Sequence, residues 1–284
     1  MRLLLDRTRA CPAMRVDMGA RLLLLAAILG CIACDPSRPL HLPALKPASQ
    51  FLPAAPQGTA WRLVWHDEFD GASLDMTKWG FRPDGPRRDG WWMKKAVTVD
   101  GQGHLVISAL KEDGKYISGC VVTTRRFEHA FGYYETRVQF QKQPGHWSAF
   151  WLQCEGTGKV GDEGRDGTEI DIWEKPTLDD QIEHNLHWDG YGQEHQHAGH
   201  KATVPGLSSG WHTIGLWWKP DEYVFFVDGR ETWRTSAGGV SQVPEYIMLS
   251  NEVGTWAGDI SSAKLPDCFI VDYVRVFDVV DRKE

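Results

Sequence analysis

The chain has 284 residues, 42% of them hydrophobic and 24% charged, the balance of a soluble globular protein. A formal net charge of −7 argues against the basic surface expected of a nucleic-acid binder, so nucleic acid is not an expected partner. Tryptophan is the unusual feature: all 14 lie at or after Trp61, where an indole serves either as core or as a flat platform for a sugar ring.

In chain order, residues 1–34 read as a targeting leader. Arg2, Arg7, Arg9, Arg15 and Arg21 precede an apolar run over residues 22–34, too short to span a bilayer comfortably. Met14 and Met18 are alternative starts, because the basic stretch is long. Ile28-Leu29-Gly30-Cys31 resembles a bacterial lipoprotein cleavage box, in which Cys31 is lipidated and attaches the chain to a membrane. Cys34 is the second candidate, and an ordinary cleaved signal peptide is the alternative. Either reading makes this a secreted or cell-envelope protein of a bacterium. Residues 35–59 contain Pro36, Pro39, Pro43, Pro47, Pro53 and Pro56, and read as an extended, mobile linker.

The body, residues 60–280, reads as short strands between turn signals, with no internal repeat and no long amphipathic helix. Leu105-Val106-Ile107 follows a Gly-rich turn, and residues 133–140 alternate until Pro144-Gly145. Residues 213–218 end at Lys219-Pro220-Asp221. Residues 223–227 meet Asp228-Gly229, a strong hairpin signal, and residues 269–277 close the body. The pattern predicts one all-β sandwich. Cys120, Cys154 and Cys268 include no Cys-x-x-Cys pair, so a zinc cluster is not indicated, and buried single thiols with at most one disulfide are expected.

Between Gly167 and Pro176 lies Thr168-Glu169-Ile170-Asp171-Ile172-Trp173-Glu174-Lys175. On a regular strand Glu169 and Asp171 share a face and Glu174 points the other way. One inserted residue, a β-bulge, returns Glu174 to the acidic face. Retaining glycosidases need two carboxyl groups about 5–5.5 Å apart, one attacking the anomeric carbon and one protonating the leaving oxygen. Glu169 and Glu174 suit these roles, and the charge of Asp171 helps to keep Glu174 protonated. The side chains converge only if the sheet is concave. The alternative reading of the same residues is a solvated acidic strand.

Residues 63–71, with Leu74-Asp75 and Lys78-Trp79, Phe131-Gly132-Tyr133-Tyr134-Glu135-Thr136-Arg137, the stretch from Gly145-His146-Trp147 to Trp151-Leu152, and Val271-Asp272-Tyr273-Val274 surround the acidic strand in a fixed order. Together they resemble glycoside hydrolase family 16, in its laminarinase-like, bulged E-x-D-x-x-E form. The resemblance implies a β-jelly roll sandwich of two curved antiparallel sheets with a concave glycan-binding cleft. It implies Glu169 as nucleophile, Glu174 as acid/base and Asp171 as the assisting carboxylate, with Trp147, Trp151, Trp173 and His187 at or near the cleft. It also implies a structural calcium held by residues like Glu68 and Asp272, and no cofactor for catalysis.

Three departures stand out. Ser148 replaces the usual Pro, residues 83–95 form a basic and aromatic loop with Arg87, Arg88, Trp91 and Trp92, and residues 191–201 form a loop rich in His195, His197 and His200. Loops of this kind decide subsites, which brings Arg88 and Trp92 into the expected substrate contacts. The expected activity is retaining endo-hydrolysis of a polysaccharide by a monomer, with β-1,3-glucan as first choice. An algal galactan, whose sulfates the arginines would bind, is the alternative substrate. A non-catalytic glycan binder and a transglycosylase on the same fold are the other readings.

Overall fold

A computed structural model of the chain describes residues 46 and 50–282. The leader with Cys31 and Cys34, and the linker residues 35–45 and 47–49, lie outside the described residues. The body is a sandwich of two large sheets.

The larger sheet is organised by its longest strand, Asp267–Asp281. Gly132–Gln139 pairs along one edge of it, while Thr59–Asp67 and Leu105–Glu112 share the other. His212–Trp218, Tyr223–Val227 and Arg230–Thr235 extend the sheet beyond Gly132–Gln139. The second sheet runs Gln196–Thr203, Gln181–Trp188, Glu169–Lys175, His146–Gln153, Glu245–Val253, Cys120–Val122 and Gly80–Phe81. The ladders are antiparallel except for Gly90–Trp92 against Lys115–Ser118, which is parallel.

The local chemistry accounts for these elements. Asp228 and Gly229 both take positive φ (48° and 75°), the twist a two-residue hairpin needs between right-handed strands. Asp113-Gly114 repeats the device at φ 48° and 76° between Leu105–Glu112 and Lys115–Ser118. Along Leu105–Glu112, Leu105, Ile107 and Ala109 are fully buried while the alternate residues are partly exposed, the period-two signature of a half-buried strand. Phe150, Leu152, Ile170 and Ile172 of the second sheet meet Leu105, Val138, Phe269 and Val271 of the first in one core. Each such aliphatic or aromatic group contributes about 1.5–3 kcal/mol on leaving water. Cys120, Cys154 and Cys268 are all free thiols.

Two expectations need correction. The end of the linker is not extended away from the body: Leu52 packs against the cluster of Tyr133, Val224, Phe226 and Phe277, and the Trp61 indole donates to the Pro53 carbonyl at 2.7 Å. Apolar side chains at 51 and 52 give this segment a surface to bury, which the proline count concealed. The His-rich segment is not wholly a loop either. Gln196–Thr203 is the edge strand of the second sheet, paired with Gln181–Trp188, and its polar side chains suit an edge open to water.

Candidate active site

The acidic strand carries the expected bulge. Phe150 pairs with Trp173 and Trp151 with Asp171, which leaves Ile172 as the extra residue. On the other side Asp171 pairs with Asn185 and Glu174 with Glu183, so two residues oppose His184 alone. Ile172 and Trp173 therefore both turn into the core, and Glu174 returns to the face of Asp171 and Glu169. The bulge frees the Ile172 carbonyl, and the His184 ring takes it up, Nδ1 donating at 2.7 Å. Burial holds the His184 pKa down to about 4, so the ring is neutral and its Nε2 accepts from the Thr232 hydroxyl, 2.9 Å away.

Glu174 is gripped by two donors, the Trp147 indole N–H at 3.1 Å on one oxygen and the Asn185 amide at 2.8 Å on the other. Its carboxyl is nonetheless pushed well above the usual range, chiefly by burial and next by the charge of Asp171. Asp171 is raised likewise, by burial and then by Glu169 and Glu252. A carboxyl that stays protonated beside an open cleft is a proton donor. Glu169 accepts from the Gln153 amide at 2.9 Å and from the Tyr191 hydroxyl. The His187 Nε2 stands 3.5 Å from Asp171, and its Nδ1 meets the His195 ring at 3.0 Å.

Glu169 opens onto a cavity of about 440 Å³ lined by Arg82, Arg87, Trp92, Trp151 and Tyr191 among others. Arg87 and Arg88 both pair with the buried Glu252 carboxylate. Arg87 also stacks over Trp92 and Arg88 over Trp147. Arg82 donates to Gln153 at 3.3 Å and Tyr246 at 3.1 Å, both uncharged. Ser148, where proline was expected, donates at 2.6 Å to Gln141, whose amide caps the Lys175 carbonyl at the end of the acidic strand.

The structure thus brings together Glu169, Asp171, Glu174, Trp147, Trp151, His187, Trp92 and Arg88. Trp173 does not join them. It is 0% exposed and packs edge-on against Phe140 and Phe269 in the core, because the bulge that turns Glu174 outward turns Trp173 inward. Glu68 and Asp272 lie elsewhere, the latter in the long strand of the other sheet.

Sequence reading missed Asn185, Gln153, Tyr191, Glu252 and Trp256. Asn185 and Gln153 were within reach of it, since each stands two residues from a chosen neighbour, His187 and Trp151, on the same strand face. Glu252 and Trp256 had no such signal. Trp256 is 46% exposed and packs edge-on against Trp147, 5.2 Å between ring centres, an open indole beside the residue that holds Glu174.

The family model described as glycosyl hydrolases family 16 matches residues 86–275. A keratan-sulfate endo-1,4-beta-galactosidase of Sphingobacterium multivorum is 26% identical over 77% of this chain, a match spanning only 56% of that relative's length. A beta-glucanase of Rhodothermus marinus is 27% identical over 78% of this chain and 86% of its own. The X-ray structure of an endo-beta-1,3-glucanase from Pyrococcus furiosus superposes with a TM-score of 0.67 at 27% identity, covering 80% of this chain and 97% of that one.

Proposed function

The chain belongs to the family 16 glycosyl hydrolases, and on that premise we propose that it is a retaining endo-β-glycanase acting on a β-1,3-glucan of the laminarin type. The observation that carries the mechanism is the bulge, which sets two glutamates of one strand on the cleft face with different surroundings. Glu169 attacks the anomeric carbon and forms a glycosyl ester, while Glu174 gives its proton to the departing oxygen. Water then enters. Glu174 takes its proton, the hydroxide attacks the anomeric carbon, and Glu169 leaves as carboxylate. The charge of Asp171 favours the protonated form of Glu174, and His187 and Gln153 help to orient the carboxyls. Trp256, exposed and backed edge-on by the buried Trp147, offers an aromatic surface against which a sugar face stacks.

The beta-glucanase of Rhodothermus marinus and the endo-beta-1,3-glucanase of Pyrococcus furiosus support the glucan reading. A second reading, a sulfated galactan, is favoured by a specific feature. Arg82, Arg87 and Arg88 gather beside Glu169 with Glu252 as the carboxylate paired to two of them, leaving guanidinium charge for a sulfate. Reducing-sugar release from laminarin, lichenan, agarose, porphyran, carrageenan and keratan sulfate decides between them. Release on laminarin is expected. Silence there with release on a sulfated galactan overturns the glucan assignment. Glu174→Gln is the blank, expected to turn over roughly 10²–10⁴-fold more slowly, and chromatography of the products separates hydrolysis from transfer to a second sugar.

For the cell, the basic and apolar leader supports export, with Cys31 as the lipid attachment site and an envelope location for the active body. Catalysis needs no cofactor in this reading, and the chain acts as a monomer.

A further inference from the structure

The structural calcium expected at Glu68 and Asp272 does not fit the place as it stands. The Glu68 carboxylate is fully engaged by Arg275, whose Nε and a terminal nitrogen each donate at 2.9 Å. One Asp272 oxygen accepts from Arg137 at 2.6 Å. What converges instead is a set of backbone oxygens: the carbonyls of Gly103, Asp272 and Glu68, with the second Asp272 carboxylate oxygen beside them. At their centre stands the Lys46 ammonium, 2.9 Å from the Gly103 carbonyl, 3.0 Å from that of Asp272 and 3.4 Å from that of Glu68. It also pairs with the Asp272 carboxylate. The Lys46 carbonyl in turn accepts from Arg275 at 3.0 Å, so the backbone is tied down as well as the side chain.

Three carbonyls and a carboxylate oxygen are the donors that a hard divalent cation takes, at about 2.3–2.6 Å. An ammonium offers three protons to such a set at hydrogen-bonding distance. Gly103, at φ 88°, is what lets the third carbonyl approach; a Cβ there would stand 3.3 Å from Lys46 Nζ and 3.0 Å from Asp70. Lys46 is distant in sequence from all three contributors, and it lies ahead of the first strand. We infer that Lys46 is a built-in cation: its ammonium fills an oxygen cradle that would otherwise hold a divalent ion such as calcium. The fold is therefore stable without that ion, and the chain ahead of the body is clasped to the sheet opposite the active site.

The test uses the full chain with calcium chloride or EDTA, read by thermal unfolding and by calcium titration calorimetry, neither of which depends on the substrate. The unaltered protein is expected to melt within about a degree in both conditions and to take up no calcium at this site. Lys46→Ala should melt lower in EDTA and recover on adding calcium, by on the order of 5 °C once calcium is about a hundredfold above its dissociation constant. A calcium-dependent melting temperature in the unaltered chain would mean that the ion displaces the lysine, and would overturn the inference. So would a folded Lys46→Ala chain that neither binds calcium nor responds to it. The unaltered chain alone suffices for the first of these outcomes should the variant fail to fold.

Discussion

In the proposed mechanism, two glutamates of identical chemistry do different work because of the atoms around them. Glu174 sits half-buried on the cleft face next to Asp171, and burial and the neighbouring charge both favour its protonated form. The Trp147 and Asn185 donors oppose them, because an N–H stabilises the ionised carboxylate more than the neutral acid. The balance sets the pH at which the general acid is lost. Removing one donor should therefore raise that pH. Trp147→Phe keeps an aromatic ring and deletes the N–H, and the basic limb of the kcat/KM profile is expected to move to higher pH. A basic limb that stays in place, measured on the best substrate of the polysaccharide screen, would remove Glu174 from the role of acid.

A strand of alternating residues cannot present Glu169, Asp171 and Glu174 on one side, and the bulge is the element that makes it possible. Its cost is a backbone carbonyl with no ladder partner in the core, which His184 offsets with one hydrogen bond. His184→Phe fills the same space without the donor. It should lose about 1–3 kcal/mol of stability in denaturant unfolding, the cost of an unpaired buried carbonyl, and kcat should fall more than KM changes. The same residue makes stability depend on pH. His184 binds its proton near pH 6.5 when unfolded and only near pH 4 when folded. Its share of stability is complete above pH 6.5 and is lost as pH falls to 4 and below, about 3 kcal/mol in all. His184→Phe should flatten the stability profile over that window. A profile parallel to that of the unaltered chain would show that the ring is not held neutral.

At the scale of the molecule the two sheets have separate tasks. The second presents the acids, flanked by the Arg82–Trp92 side on one hand and the His187–Tyr191 side on the other. The larger sheet closes the core and takes the incoming chain, through Lys46 and through Leu52 on its aromatic cluster. The mature N-terminus, read by mass spectrometry of the exported protein, is expected at Cys31 with a lipid mass added. A chain that keeps residues 1–30 would rule out both lipidation and cleavage of the leader.

The sequence by itself determined the all-β body, the hairpin at Asp228-Gly229, the acidic strand and the need for a bulge within it. These are local properties: the period of two, the turn chemistry and the conflict between that period and three acids are all written in adjacent residues. The family resemblance, not any local pattern, implied Trp147 and His187 as neighbours of the acids. Other features were decided only when distant segments met. The direction of Trp173 follows from where the extra residue of the bulge falls, which the ladder with the neighbouring strands settles. The Glu252 carboxylate finds Arg87 and Arg88 from more than 160 positions away, and Trp256 finds Trp147 from more than 100 positions away. The expected metal place became a lysine's place because the cradle is made mostly of backbone carbonyls, and a carbonyl has no signature in a sequence.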